Sequence, residues 1–75
     1  MKESFEEYVK RIEKYDTKTL PKYLQISIKD YVEVCKENNK LRMGDYYTDL
    51  VSSINIAQWD NDSPMDKINE LRDTF

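Results

Sequence analysis

Only one glycine, Gly44, and two prolines, Pro21 and Pro64, punctuate this sequence, and it contains no Asn-Gly or Asp-Gly pair. Antiparallel strands reverse direction at residues that accept positive φ, so a chain short of them has few places to form hairpins. Helices remain, joined by loops that Asn, Asp, Ser and Thr can cap.

Apolar periodicity predicts four helices, near residues 4–15, 20–37, 45–59 and 64–74. Ser4 with Glu7 has capping-box spacing, and Phe5, Tyr8, Val9, Ile12 and Tyr15 follow within about 120° of a helical wheel. Glu6 with Lys10 and Glu7 with Arg11 are spaced as i, i+4 ion pairs. Thr19 can cap the second helix, whose first turn tolerates Pro21. Leu20, Tyr23, Leu24, Ile28, Tyr31, Val32, Val34 and Cys35 cover one half of its wheel, and Ile26 falls outside. The alternative for residues 23–34 is a strand, because Leu24, Ile26, Ile28, Val32 and Val34 also alternate and β-branched residues favour sheets. The shortage of turn residues favours the helix.

Asn38 and Asn39 stop the second helix, Lys40 to Gly44 read as a connection, and Asp45 reads as the cap of the third helix. Met43, Tyr46, Tyr47, Leu50, Val51, Ile54 and Ala57 span about 140°, a stripe wide enough to touch two or three neighbours. This third helix is therefore expected to be the best buried, with Ile56 and Trp59 on its other side. Asp60 to Pro64 form a loop, with Asp62 or Ser63 as cap and Pro64 at the first position of the fourth helix. There Met65, Ile68, Leu71 and Phe75 share an apolar face, and Asp62, Asp66, Glu70 and Asp73 line the opposite side. The expected fold is all-α, a single domain over residues 1–75 built as a small bundle of four antiparallel helices.

A chain this short buries only about 60 to 65% of the surface that its unfolded form exposes, and one such core supplies about 3 to 5 kcal/mol. The apolar share of 39% and charged share of 36%, against roughly 45 to 50% and 25% in an average domain, lean toward disorder. Bulky Leu, Ile, Val, Phe and Tyr side chains still suffice for a small folded body. A single cysteine, Cys35, excludes an internal disulfide, and the lack of histidine leaves zinc almost no soft ligands. No cofactor is expected. Self-association or a protein partner is the remaining source of support.

No apolar run is long enough to span a bilayer, and Met1 to Glu7 lacks the hydrophobic segment of a signal peptide. Together with an unpaired thiol, this leads us to expect a cytoplasmic protein. The bias toward Lys, Asn, Ile, Tyr and Asp is that of AT-rich coding DNA and points to a bacterial or phage origin.

Charge is unevenly placed. Residues 1–42 carry ten basic and eight acidic side chains, whereas residues 43–75 carry two basic and seven acidic. Such asymmetry bears on partners and association. Asp60, Asp62 and Asp66 stand at calcium-loop positions 1, 3 and 7, but Met65 occupies the place that needs glycine and Leu71 the place that needs glutamate, so a capping loop is the better reading. Catalysis finds no histidine base, and Cys35 lies within an apolar face, as a buried small hydrophobe would. An enzyme is not expected. A helix-turn-helix with Lys36, Lys40 and Arg42 near its turn would open its recognition helix with Asp45 and Asp49, where phosphates would stand. Nucleic acid is thus an unfavoured partner, and a membrane is not expected.

The partner-binding candidates are Asp45, Asp49, Trp59, Asp60, Asp62, Asp66, Glu70 and Asp73. Carboxylates along one helix face repel one another and speed encounter with a cationic surface; the alternative is an ordinary solvated face. Trp59 with Ile56 could anchor an interface or mark where the fourth helix packs back, and packing is the favoured reading. The Asp62-Ser63-Pro64 turn into a helix, with an upstream tyrosine pair and an acidic surface, is similar to the four-helix immunity proteins that neutralise nuclease bacteriocins. In that family the tyrosines sit on a very short helix near the turn, whereas Tyr46 and Tyr47 begin a long helix and Trp59 intervenes. The resemblance is one of surface, not of kinship. The expected function is a non-enzymatic binding module, a small inhibitor or regulator that offers an acidic and aromatic surface to a basic site on a larger protein such as a nucleic-acid enzyme or defence nuclease. The alternatives are an oligomeric structural adaptor and a nucleic-acid-binding helical domain.

Overall fold

The computed structural model describes residues 2–75 and holds four helices: α1 (Phe5–Glu13), α2 (Lys22–Lys36), α3 (Lys40–Trp59) and α4 (Met65–Thr74). Met1, where the segment read for a leader begins, lies outside the described residues. No strand occurs among them, and residues 23–34 are helical. The all-α bundle expected from the apolar periodicity is the observed fold.

Asparagine does the work that scarce glycine cannot. Asn38 and Asn61 both take φ of 55°, the left-handed conformation that asparagine tolerates best after glycine. Behind Asn38, the N–H of Asn39 reaches the Val34 carbonyl at 3.5 Å and that of Asn38 reaches Cys35 at 3.0 Å; behind Asn61, Asp62 N–H reaches Ala57 at 2.9 Å and Asn61 N–H reaches Gln58 at 3.3 Å. These are two Schellman closures of the same form, and they satisfy the last carbonyls of α2 and α3.

The first closure also corrects the start of α3. Asn39 accepts the Arg42 N–H on its side chain at 3.3 Å and is the N-cap, so the helix begins at Lys40 rather than after Asp45. Lys40 to Gly44, read as a connection, are its first turns. Gly44 sits in regular helix with nothing near its Cβ position, because one glycine in a helix of 20 residues costs only about 1 kcal/mol and does not break it. Other boundaries move less. α1 ends at Glu13, α2 is capped by Pro21 rather than Thr19, and α4 by Pro64 rather than Asp62 or Ser63, neither proline helix having a side-chain cap bond. At the amino end Ser4 Oγ accepts the Glu7 N–H at 3.1 Å, as its spacing predicts. Arg11 pairs with Glu3 at 2.9 Å instead of Glu7, and its Nη1 also donates to the Thr74 carbonyl at 2.8 Å.

Neighbouring helices run antiparallel where their contacts can be read in order. Ser27 meets Ser53 and the Tyr31 ring meets Tyr47 across α2 and α3, while Tyr15 reaches Glu70 and Tyr8 the Phe75 carbonyl across α1 and α4. The core gathers on α2, which contributes Leu24, Ile28, Tyr31, Val32, Val34 and Cys35, with Ile26 outside as its wheel predicts. The expectation that the third helix is the best buried is overturned. α3 buries only Leu50, Ile54 and Ala57, and Tyr47 and Val51 are exposed. Length explains this: α4 has 10 residues against the 20 of α3, about 15 Å beside about 30 Å, so it cannot cover that flank.

Candidate interaction surface

No helix among the described residues is long and apolar enough to cross a membrane. Among the described residues no group of three or more His, Cys, Asp and Glu side chains is placed to hold a metal ion. Cys35 is buried, and burial pushes its thiol up, away from the thiolate that nucleophilic chemistry requires. The surface of the fold is uneven.

Trp59 closes α3 with its side chain 74% exposed. It lies nine residues beyond Leu50, half a turn away from the buried face at 100° per residue. The expectation that α4 packs back onto Trp59 is therefore overturned: the Schellman closure at Asn61 sends the chain toward the Leu50 side and leaves the indole behind. Ile56, one turn earlier, and Met65, at the start of α4, are also exposed. Asp60 caps α3 beside the indole and Asp66 opens α4. The end of α3 is thus an apolar corner, Ile56 and Trp59, with the Asp60 carboxylate directly after it.

The remaining acidic candidates divide by what holds them. Asp62 accepts the Tyr23 hydroxyl at 2.7 Å and ties the α3–α4 loop to α2. Burial, and then that carboxylate, push the Tyr23 phenol up to about 12. Glu70 accepts the Tyr15 hydroxyl at 2.9 Å and pairs with Lys67 at 3.4 Å, contacts that hold its carboxyl below the usual range. These two are structural links as well as surface charges. Asp45, Asp49, Asp60, Asp66 and Asp73 are exposed and enter none of the ion pairs among the described residues.

Distance separates them further. Asp49 and Asp45 lie ten and fourteen residues before Trp59 on one helix, about 15 and 21 Å along its axis. Trp59 and Asp60 adjoin at the end of α3, Asp66 belongs to the first turn of α4, and Asp45 and Asp49 lie on the middle and far parts of α3. Arg72, the one cation of α4 facing α3, is held by Asn55 at 2.9 Å and Gln58 at 2.6 Å and does not neutralise the corner.

Leu41 is a residue that the sequence reading left unassigned. It is 90% exposed in the first turn of α3, flanked by Lys40 and by Arg42, which donates to the Tyr46 hydroxyl at 2.9 Å and stands 3.8 Å from Glu37. The signal was present in its spacing: 18 residues, five full turns, separate Leu41 from Trp59. Reading a connection at Lys40 to Gly44 hid it.

The chain matches no protein-family model, no curated protein and no solved structure.

Proposed function

We propose that this chain is a non-enzymatic protein-binding module, a small inhibitor or regulator whose Trp59 corner docks on a basic site of a larger protein. A nucleic-acid enzyme or a defence nuclease in a bacterial or phage system has such a site, and the reading places the protein in the cytoplasm. The supporting observation is Trp59 itself, 74% exposed and followed by the Asp60 carboxylate at the end of α3. A large indole left in water is unfavourable for an isolated domain, and tryptophan ringed by charge is the usual make-up of an interface anchor. The surrounding carboxylates steer a cationic surface toward it. Nucleic acid fits less well, because Asp45 and Asp49 lie exposed on α3 where phosphates would approach.

Affinity capture with the full chain, compared with Trp59→Ala and with Asp60→Lys plus Asp66→Lys, tests the reading. The wild-type chain should retain a basic protein that both variants lose, with binding that weakens as salt rises. Equal capture by all three would remove the corner as the site and the reading with it.

A further inference from the structure

We infer that the outer face of α3 also recognises a second copy of this chain, pairing α3 against α3 antiparallel in a weak two-fold dimer. The inference rests on the reading of the Trp59 corner as a surface for basic partners, and adds to the larger protein a second partner for it, the first turn of α3 in another copy.

Position and charge carry it together. Leu41 and Trp59 share one azimuth of α3, opposite Leu50, and are the two most exposed large apolar side chains among the described residues, at 90% and 74%. They stand about 27 Å apart along the axis. Between them, on the same face, lie the small polar Thr48 and Ser52, which permit close approach of a second helix, with Asp45 and Asn55 about 40° to either side. Leu41 has Lys40 and Arg42 beside it, and Trp59 has Asp60. The Leu41 end thus carries two cations, with Glu37 3.8 Å from Arg42 and Asp45 one turn on, whereas the Trp59 end carries the Asp60 carboxylate with no cation beside it in sequence.

Two copies of such a face fit only one way. A parallel pair would set Lys40 and Arg42 against their own copies and bring the two Asp60 carboxylates together. The antiparallel pair centred near Leu50 and Val51 puts Leu41 against the second copy's Trp59, and Arg42 beside the second copy's Asp60, at both ends at once. This is the self-complementarity that a two-fold interface requires. Opposed helix dipoles add to it.

The same geometry limits the strength of the dimer. Asp49 from each copy comes near the two-fold axis, and like charges there repel. A single pair of helices also keeps the buried area in the range below about 1,200 Å² that belongs to weak complexes. Reversible association that rises with concentration is the expected behaviour.

Sedimentation equilibrium of the full chain, from about 10 μM to about 1 mM, tests this together with emission from Trp59, the only tryptophan. The average mass should climb from monomer toward dimer and the emission should shift to the blue along with it. Leu41→Ser and Trp59→Ala should each weaken association about tenfold or more, while helicity by circular dichroism stays unchanged. Arg42→Glu should weaken it too, and adding Asp60→Arg should restore it. Asp49→Asn should strengthen it. A strict monomer at every concentration, or a dimer indifferent to Leu41→Ser and to the charge exchange, overturns the inference. If captured protein is then still lost with Trp59→Ala, the Trp59 corner stands as a site for another protein; a Leu41-dependent dimer that captures nothing sinks the inhibitor reading instead.

Discussion

α2 and α3 lie against each other along most of their length, yet they use their apolar residues in opposite ways. α2 gathers its own on one side and buries six of them; α3 is five residues longer and buries three. The difference lies in distribution. On α2 only Ile26 among the large apolar residues points outward, whereas α3 places Leu50, Ile54 and Ala57 on one side and Leu41, Ile56 and Trp59 around the other. The apolar content of a helix therefore measures its need for partners, and only its angular spread shows how many. α2 finds its partners within the chain. α3 has one face left over.

The strongest way to break that contrast is to open the α2 side of the core. Leu24 is fully buried, and Leu24→Ala should cost about 2 to 5 kcal/mol, comparable to the whole stability of about 3 to 5 kcal/mol available to so small a core. Loss of cooperative unfolding by circular dichroism in urea is expected; a variant that keeps a sharp transition would show that α2 is not the organiser.

Alkaline pH should act next most strongly, again through α2. Burial raises the phenols of Tyr23, to about 12, and of Tyr31, with Asp62 and Tyr8 as their respective hydrogen-bond partners adding to the rise. A group whose folded pKa is raised favours the fold in its protonated form. That contribution is complete below the ordinary phenol value of about 10 and is lost as pH rises through the folded value. Stability should begin to fall near pH 10, and Tyr23→Phe should flatten the decline between pH 10 and about 12. A pH-independent urea midpoint across that window would contradict it.

On α3 the expected effects are smaller and one has the opposite sign. Gly44 is helical, and a Cβ there meets nothing, so Gly44→Ala should stabilise by about 0.5 to 1 kcal/mol, seen as a higher urea midpoint. No gain would mean that the first turns of α3 are not helical in solution. Smallest of all, Leu41→Ser and Trp59→Ala should change the stability of the monomer by about 0.5 kcal/mol or less. A larger loss for either would place that side chain in the core.

The same contrast governs how much could be read beforehand. α2 was legible because its burial pattern is a single stripe, and the exceptional position of Ile26 was visible too. α3 was misread at its start because Gly44 looks like a breaker and Asp45 like a cap. A stronger signal, Asn39 able to cap a helix directly after Asn38, stood earlier. Trp59 could be placed on the outer side of its helix but not shown to be bare, since that depends on the path the chain takes after Asn61. The acidic surface was legible as a list of residues and not as a site. Tyr23 meets Asp62 and Tyr15 meets Glu70 across 39 and 55 residues, and no local pattern announces such contacts.

The turn between α2 and α3 has a kinetic consequence. Glu37, Asn38 and Asn39 are all that separate the two helices, so almost no loop entropy opposes their meeting, and this pair shares the most extensive interface in the molecule. Helices elongate and short loops close in well under a microsecond to a few microseconds. The α2–α3 hairpin is thus placed to form first, with α1 and α4 docking afterwards through Tyr8, Arg11 and Tyr15 at the far ends of the sequence. On that route the face bearing Leu41 and Trp59 is complete before the rest of the molecule has assembled, and a second chain could be met while folding is still under way.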